Sequence, residues 1–89
     1  MREYNNRGDS LLGLSRKQRE ELYDDFEQSV KQDWNKEKYG DYEFDLGAAT
    51  GAFLDLYKGK LKRGKKADYD ALEGELSDHL TKKGWERVR

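Results

Sequence analysis

Few side chains in this sequence have the chemistry of a reaction centre. There is one histidine, His79, and no cysteine among 89 residues. Without cysteine there is no disulfide, thiolate nucleophile, iron–sulfur cluster or Cys-based zinc site. A single His cannot build a His-rich metal site. It falls in the last turn of a predicted helix, where a cation is favourable against the helix dipole, and is read as a structural residue. The carboxylate pairs Asp24/Asp25 and Asp68/Asp70 lie on polar faces, and nothing in the pattern buries them to raise their pKa for acid–base work. Asp68-Tyr69-Asp70 fails as a calcium loop, because Leu72 and Glu73 occupy its fifth and sixth positions. The glycines Gly47 and Gly51 lack the spacing and the Gly-Lys-Ser/Thr ending of a phosphate loop. Arg7-Gly8-Asp9 matches an adhesion tripeptide by coincidence. No enzyme, no cofactor and no metal site are expected, and so small a body leaves little room for a pocket of roughly 300 Å³ or more.

What remains is binding, and the charge map says where. Residues 20–45 hold ten acids and three bases, residues 58–66 six bases and no acid, and residues 67–78 five acids and no base. The net charge of −1 hides an acidic helix and a basic turn. The acidic face, Glu20, Glu21, Asp24, Asp25 and Glu27, together with the exposed aromatics Tyr39 and Tyr42, is the candidate surface for a protein partner. Charge would set rate and specificity there, and desolvated aromatics the affinity. The alternative surface is the basic turn, Lys58, Lys60, Lys62, Arg63, Lys65 and Lys66, as a contact for nucleic-acid phosphates. The order helix, basic turn, helix loosely matches a helix-turn-helix. However, Asp68, Asp70, Glu73, Glu75 and Asp78 on the second helix would repel phosphates, so only backbone contact from the turn is expected.

These residues need elements to hold them. Val30, Val88, Thr50 and Thr81 are the only β-branched residues, while Leu, Ala, Glu, Lys, Arg and Gln dominate, so the chain is expected to be all-α. Residues 1–14 read as a flexible polar arm from which Leu11, Leu12 and Leu14 dock on the body; residues 15–89 form one helical domain. Ser15 with Gln18 is a capping box opening a helix whose stripe is Leu22, Phe26, Val30 and Trp34, ending at Gly40. Asp41–Leu46 alternates as a strand would, but with no partner in view it is read as an extended linker, with Asp41 or Asp45 capping helix two. Helix two carries Leu46, Ala49, Phe53, Leu56, Tyr57 and Leu61. Helix three starts near Asp68 with Tyr69, Leu72, Leu76 and Leu80 inward, and stops at Gly84 with Trp85 packing back on Leu80. The result is a three-helix domain, a long first helix packed by a helical hairpin. Gly47 and Gly51 in mid-helix, with Ala48 and Ala52 at the same spacing, imply close approach of helix one or of a second copy, since each interior Gly costs about 1 kcal/mol.

No apolar run approaches the roughly 18 residues of a membrane span, and the first residues lack a signal peptide's apolar stretch, so a cytoplasmic location without membrane contact is expected. The leading expectation is a small non-enzymatic regulator, adaptor or inhibitor that binds another protein stoichiometrically, as bacteriophage inhibitors do. A homodimer is also expected, from the two tryptophans and the thin core.

Overall fold

The computed structural model describes residues 10–89. Residues 1–9, which hold most of the expected arm and the Arg7-Gly8-Asp9 tripeptide, lie outside the described residues. The elements are α1 (Arg16–Asp33), α2 (Lys36–Tyr39), β1 (Glu43–Phe44), α3 (Leu46–Tyr57), α4 (Lys66–Lys82) and β2 (Glu86–Arg87). Three long helices dominate, and α3 and α4 make the hairpin that packs α1, as the sequence predicts.

Local signals account for most boundaries. The Ser15 hydroxyl accepts from the Gln18 N–H at 3.2 Å and the Gln18 side chain accepts from the Ser15 N–H at 2.8 Å, a closed capping box. Asp45 caps α3 by accepting from the Ala48 N–H at 3.0 Å. At the end of α4, Gly84 sits at φ +101°, a backbone state that a Cβ would strain. The Gly84 N–H donates to the Thr81 carbonyl at 3.1 Å and the Trp85 N–H to the Leu80 carbonyl at 3.0 Å, the two bonds of a Schellman ending. Trp85 is thereby turned into the core beside Leu80.

Two boundaries differ from the sequence prediction. The first helix stops at Asp33 rather than Gly40, because Trp34 is extended (φ −76°, ψ 128°) and Asn35 opens the one-turn α2 by accepting from the Lys38 N–H. The break swings Trp34 over the aromatic end of the molecule, where its indole N–H donates to the Gly40 carbonyl at 2.9 Å. Residues 43–44 also do have a strand partner. Glu43 and Phe44 pair in parallel with Glu86 and Arg87, and the Leu46 N–H donates to the Arg89 carbonyl at 2.9 Å. The alternation was a true strand signal, and its partner was 43 residues away.

The core is Tyr23, Phe26, Phe44, Leu46, Phe53, Tyr57, Leu72, Leu76, Leu80 and Trp85, joined by Leu12 from the segment before α1. Leu12 docks as the sequence predicts. Leu11 and Leu14 exchange backbone hydrogen bonds at 2.9 and 3.0 Å, so residues 10–14 belong to the packed body. Among the described residues no helix is long and apolar enough to cross a membrane.

Candidate binding surfaces

Polar side chains in the interior of α1 decide which of its acids are free. Arg19, Tyr23 and Glu27 follow each other at four-residue spacing and are all buried. The Arg19 guanidinium grips Glu75 with two bonds of 2.7 and 2.9 Å, and the Tyr23 hydroxyl donates to the same carboxylate at 2.7 Å. Burial pulls the Glu75 carboxyl upward, but the bonds from Arg19 and Tyr23 outweigh this and hold it below its ordinary range. The Tyr23 phenol is pushed up, chiefly by burial and then by its bond to Glu75.

Glu27 corrects the expected acidic face. It is 2% exposed and accepts from the Trp85 indole N–H at 2.8 Å, with Lys31 at 3.6 Å from the same oxygen. It is a structural anchor and offers nothing to a partner. Asp24 is held by Lys83 at 2.9 Å, which lowers its pKa. Glu20, Glu21 and Asp25 remain at the surface, with Glu20 near Arg16 at 3.8 Å and Asp25 accepting from the Tyr57 hydroxyl at 2.7 Å. His79 lies beside this group, its Nε2 3.7 Å from Asp24 and its ring 5.7 Å from that of Tyr23. Burial, then Lys83, holds its pKa below the ordinary value of 6.5. It stands in the last turn of α4, where the sequence places it, but the lowered pKa works against the cation expected there.

Tyr39 and Tyr42 sit together at the other end of α1. Tyr42 is half-buried, 4.8 Å from Trp85 and 6.0 Å from Trp34 between ring centres. Tyr39 packs on Trp34 at 5.3 Å and is 55% exposed. The surroundings of these rings are cationic: Lys31 and Lys36 lie over Tyr42 at 5.2 and 4.8 Å, and Lys38 over Tyr39 at 5.3 Å. Beside the cluster an open apolar groove of about 230 Å³ runs between α1 and α3. Phe26 and Val30 line one wall, Ala48, Ala49 and Ala52 the other, Phe44, Leu80 and Trp85 complete the lining, and the carboxylates of Glu43 and Asp45 border it.

The glycines do not act as expected within the chain. A Cβ on Gly51 would meet nothing within 4 Å, and one on Gly47 would meet only the Asp45 carboxylate at 3.4 Å. Among the described residues no helix crosses closely there. The small residues instead leave space unfilled, since Ala48 and Ala52 are what keep the groove open. The sequence singled out their spacing but assigned it to helix contact.

The basic turn is fixed in place. The Lys62 N–H donates to the Leu12 carbonyl at 2.8 Å, and the Lys65 N–H to the Asp68 carboxylate at 2.8 Å. Its six cations are all exposed. Leu54, Leu61 and Tyr69, with Lys58, Lys62 and Arg63, line a hollow of about 430 Å³ there, larger than expected for so small a body. Tyr69 reads from sequence as core stripe, so its place in this hollow was not foreseen. Among the described residues no group of three or more His, Asp or Glu side chains is placed to hold a metal ion. No family model matches the chain, and neither a curated protein nor a solved structure is found to be similar to it.

Proposed function

We propose that this chain is a non-enzymatic protein-binding module, a regulator, adaptor or inhibitor acting by stoichiometric contact, and that its partner seats in the groove between α1 and α3. The observation that carries this reading is an apolar groove left open in a body with little core to spare. Filling it with one larger side chain from α3 would bury more apolar surface, at about 25 cal/mol per Å². The adjoining Tyr39 and Trp34 are of the types that dominate interface energetics. Glu43 and Asp45 at the border favour a partner segment that inserts one bulky apolar residue flanked by Lys or Arg. The part of the acidic face that stays exposed, Glu20, Glu21 and Asp25, would steer the same kind of partner. Glu27 has no place in this contact.

The experiment compares partner capture by the wild-type protein with capture by Ala48→Glu/Ala52→Glu. Both alanines are exposed, so glutamates there block the groove and leave the helix intact. The expected result is a partner, held at one-to-one stoichiometry, that the double variant releases while its circular dichroism is unchanged. A partner captured equally by both proteins, or none captured by either, overturns the reading.

A further inference from the structure

The basic turn follows the C-terminal end of α3, a 12-residue helix about 18 Å long, whereas the groove lies along its N-terminal half. Lys58 and Lys66 reach the carboxylates of Asp55 at 3.8 Å and Asp70 at 3.2 Å. Among the described residues no carboxylate oxygen stands within 4.0 Å of the side-chain nitrogens of Lys60, Lys62, Arg63 or Lys65. Complementing the neighbouring acids therefore accounts for only two of the six cations. Three of the acids of α4 are already engaged: Asp68 holds the turn backbone, Asp70 faces Lys66, and Glu75 belongs to Arg19 and Tyr23.

Behind the cations lies something that a merely solvated charge run lacks. The half-buried Leu54, Leu61 and Tyr69 make an apolar floor to a hollow rimmed by Lys58, Lys62 and Arg63. A hydrogen bond from the Gly64 N–H to the Tyr69 hydroxyl, 3.4 Å long, and the Lys62–Leu12 bond hold floor and rim in register. We propose that this face binds single-stranded nucleic acid, with phosphates along the cations and a base lying on the floor.

Three features favour this ligand. Six exposed cations fall within the nine residues 58–66, a density that suits a uniformly charged backbone. The floor is apolar and carries one aromatic ring, Tyr69, on which a base can stack, and such stacking tolerates any sequence. A duplex would use the cations alone, because its bases are stacked inside and leave the floor empty. The turn is also ordered before any ligand arrives, which lowers the entropy lost on binding.

The test is fluorescence anisotropy of a labelled oligothymidylate titrated with the whole chain at about 50 and about 200 mM salt, the range over which phosphate contacts weaken steeply. Saturable, salt-sensitive binding is expected. Replacing Lys60, Arg63 and Lys65 together by Ala should lower the slope of log K against log salt by about 2, at roughly 0.7 per lost contact. Tyr69→Leu, which removes the ring, should bind roughly five- to a hundred-fold more weakly. The three cations are surface residues, so that variant remains informative even where Tyr69→Leu fails to fold. The proposal is overturned by the absence of saturable binding at the lower salt, or by the triple variant binding like the wild type. Equal affinity for a duplex, an acidic peptide or inorganic polyphosphate of matching charge overturns it as well.

Discussion

Glu27 shows how much one residue's role depends on a distant partner. On α1 it looks like any other carboxylate of a charged helix, yet it is enclosed and holds the Trp85 indole at 2.8 Å. Removing the carboxylate leaves the indole N–H without its acceptor, and a buried donor left unsatisfied costs about 1–3 kcal/mol. Glu27→Ala should therefore lower stability by about 2 kcal/mol, whereas Glu27→Gln, which keeps an acceptor oxygen, should lose less than half of that. Urea unfolding of the two variants checks the difference. Helical spacing did contain a hint, because Arg19, Tyr23 and Glu27 lie on one stripe and Tyr23 is plainly a core residue. What the sequence did not contain was the partners, since Glu75 and Trp85 lie 56 and 58 residues along the chain. A charged residue on an inward stripe reads as an exposed one until its counterpart is known.

At the scale of elements, ends written locally were legible and those imposed by packing were not. The capping box at Ser15, the Asp45 cap and the Gly84–Trp85 ending each rest on neighbours a few residues apart, and each stands where the sequence places it. The break at Trp34 carries no Gly or Pro. It goes with the edge-to-face contact of the indole with Trp85, 5.3 Å between ring centres, between residues 51 positions apart. Of the candidate surfaces, the basic turn and the aromatics were legible, and the groove between them was not, because it is formed by residues that α1, α3 and α4 bring together. In α3 the two glycines can be tested directly. With open space around Gly51, Gly51→Ala should stabilise the chain by about 0.5–1 kcal/mol, seen as a rise in melting temperature of a few degrees. Gly51→Leu should likewise leave the fold intact, and a fall in sedimentation mass on that change would place the expected close packing between two copies.

Across the whole molecule, stability should fall with pH first through His79 and then through the carboxylates of Glu75 and Asp24. His79 is held below 6.5 by burial and then by Lys83, with Tyr23, Asp24, Glu27 and Glu20 around it. The unfolded chain therefore takes up its proton first, so the stabilisation is whole above about 6.5 and falls as pH drops through the folded pKa. Glu75 is held below 4.5, so its contribution is present above that value and lost as pH falls further. The urea midpoint should thus decline in two stages from neutral pH downward, and His79→Gln should abolish the upper stage alone. A midpoint that stays level between pH 7 and 5 in the wild type would show that His79 protonates freely in the folded state.

The parallel pairing of residues 43–44 with 86–87 has a consequence for how the molecule is born. Trp85 plugs the core, and the 86–89 strand is laid beside a segment made roughly half a chain earlier, where the Arg89 carbonyl receives the Leu46 N–H. A ribosome that has delivered α1 and the α3–α4 hairpin has therefore delivered helices with no finished interior. Until residues 85–87 are in place, Trp34 lacks the Trp85 ring and Phe44 its strand partner, and the aromatic end stays open. Closing the aromatic end therefore depends on a pairing between residues 43 positions apart, which helix formation alone cannot supply.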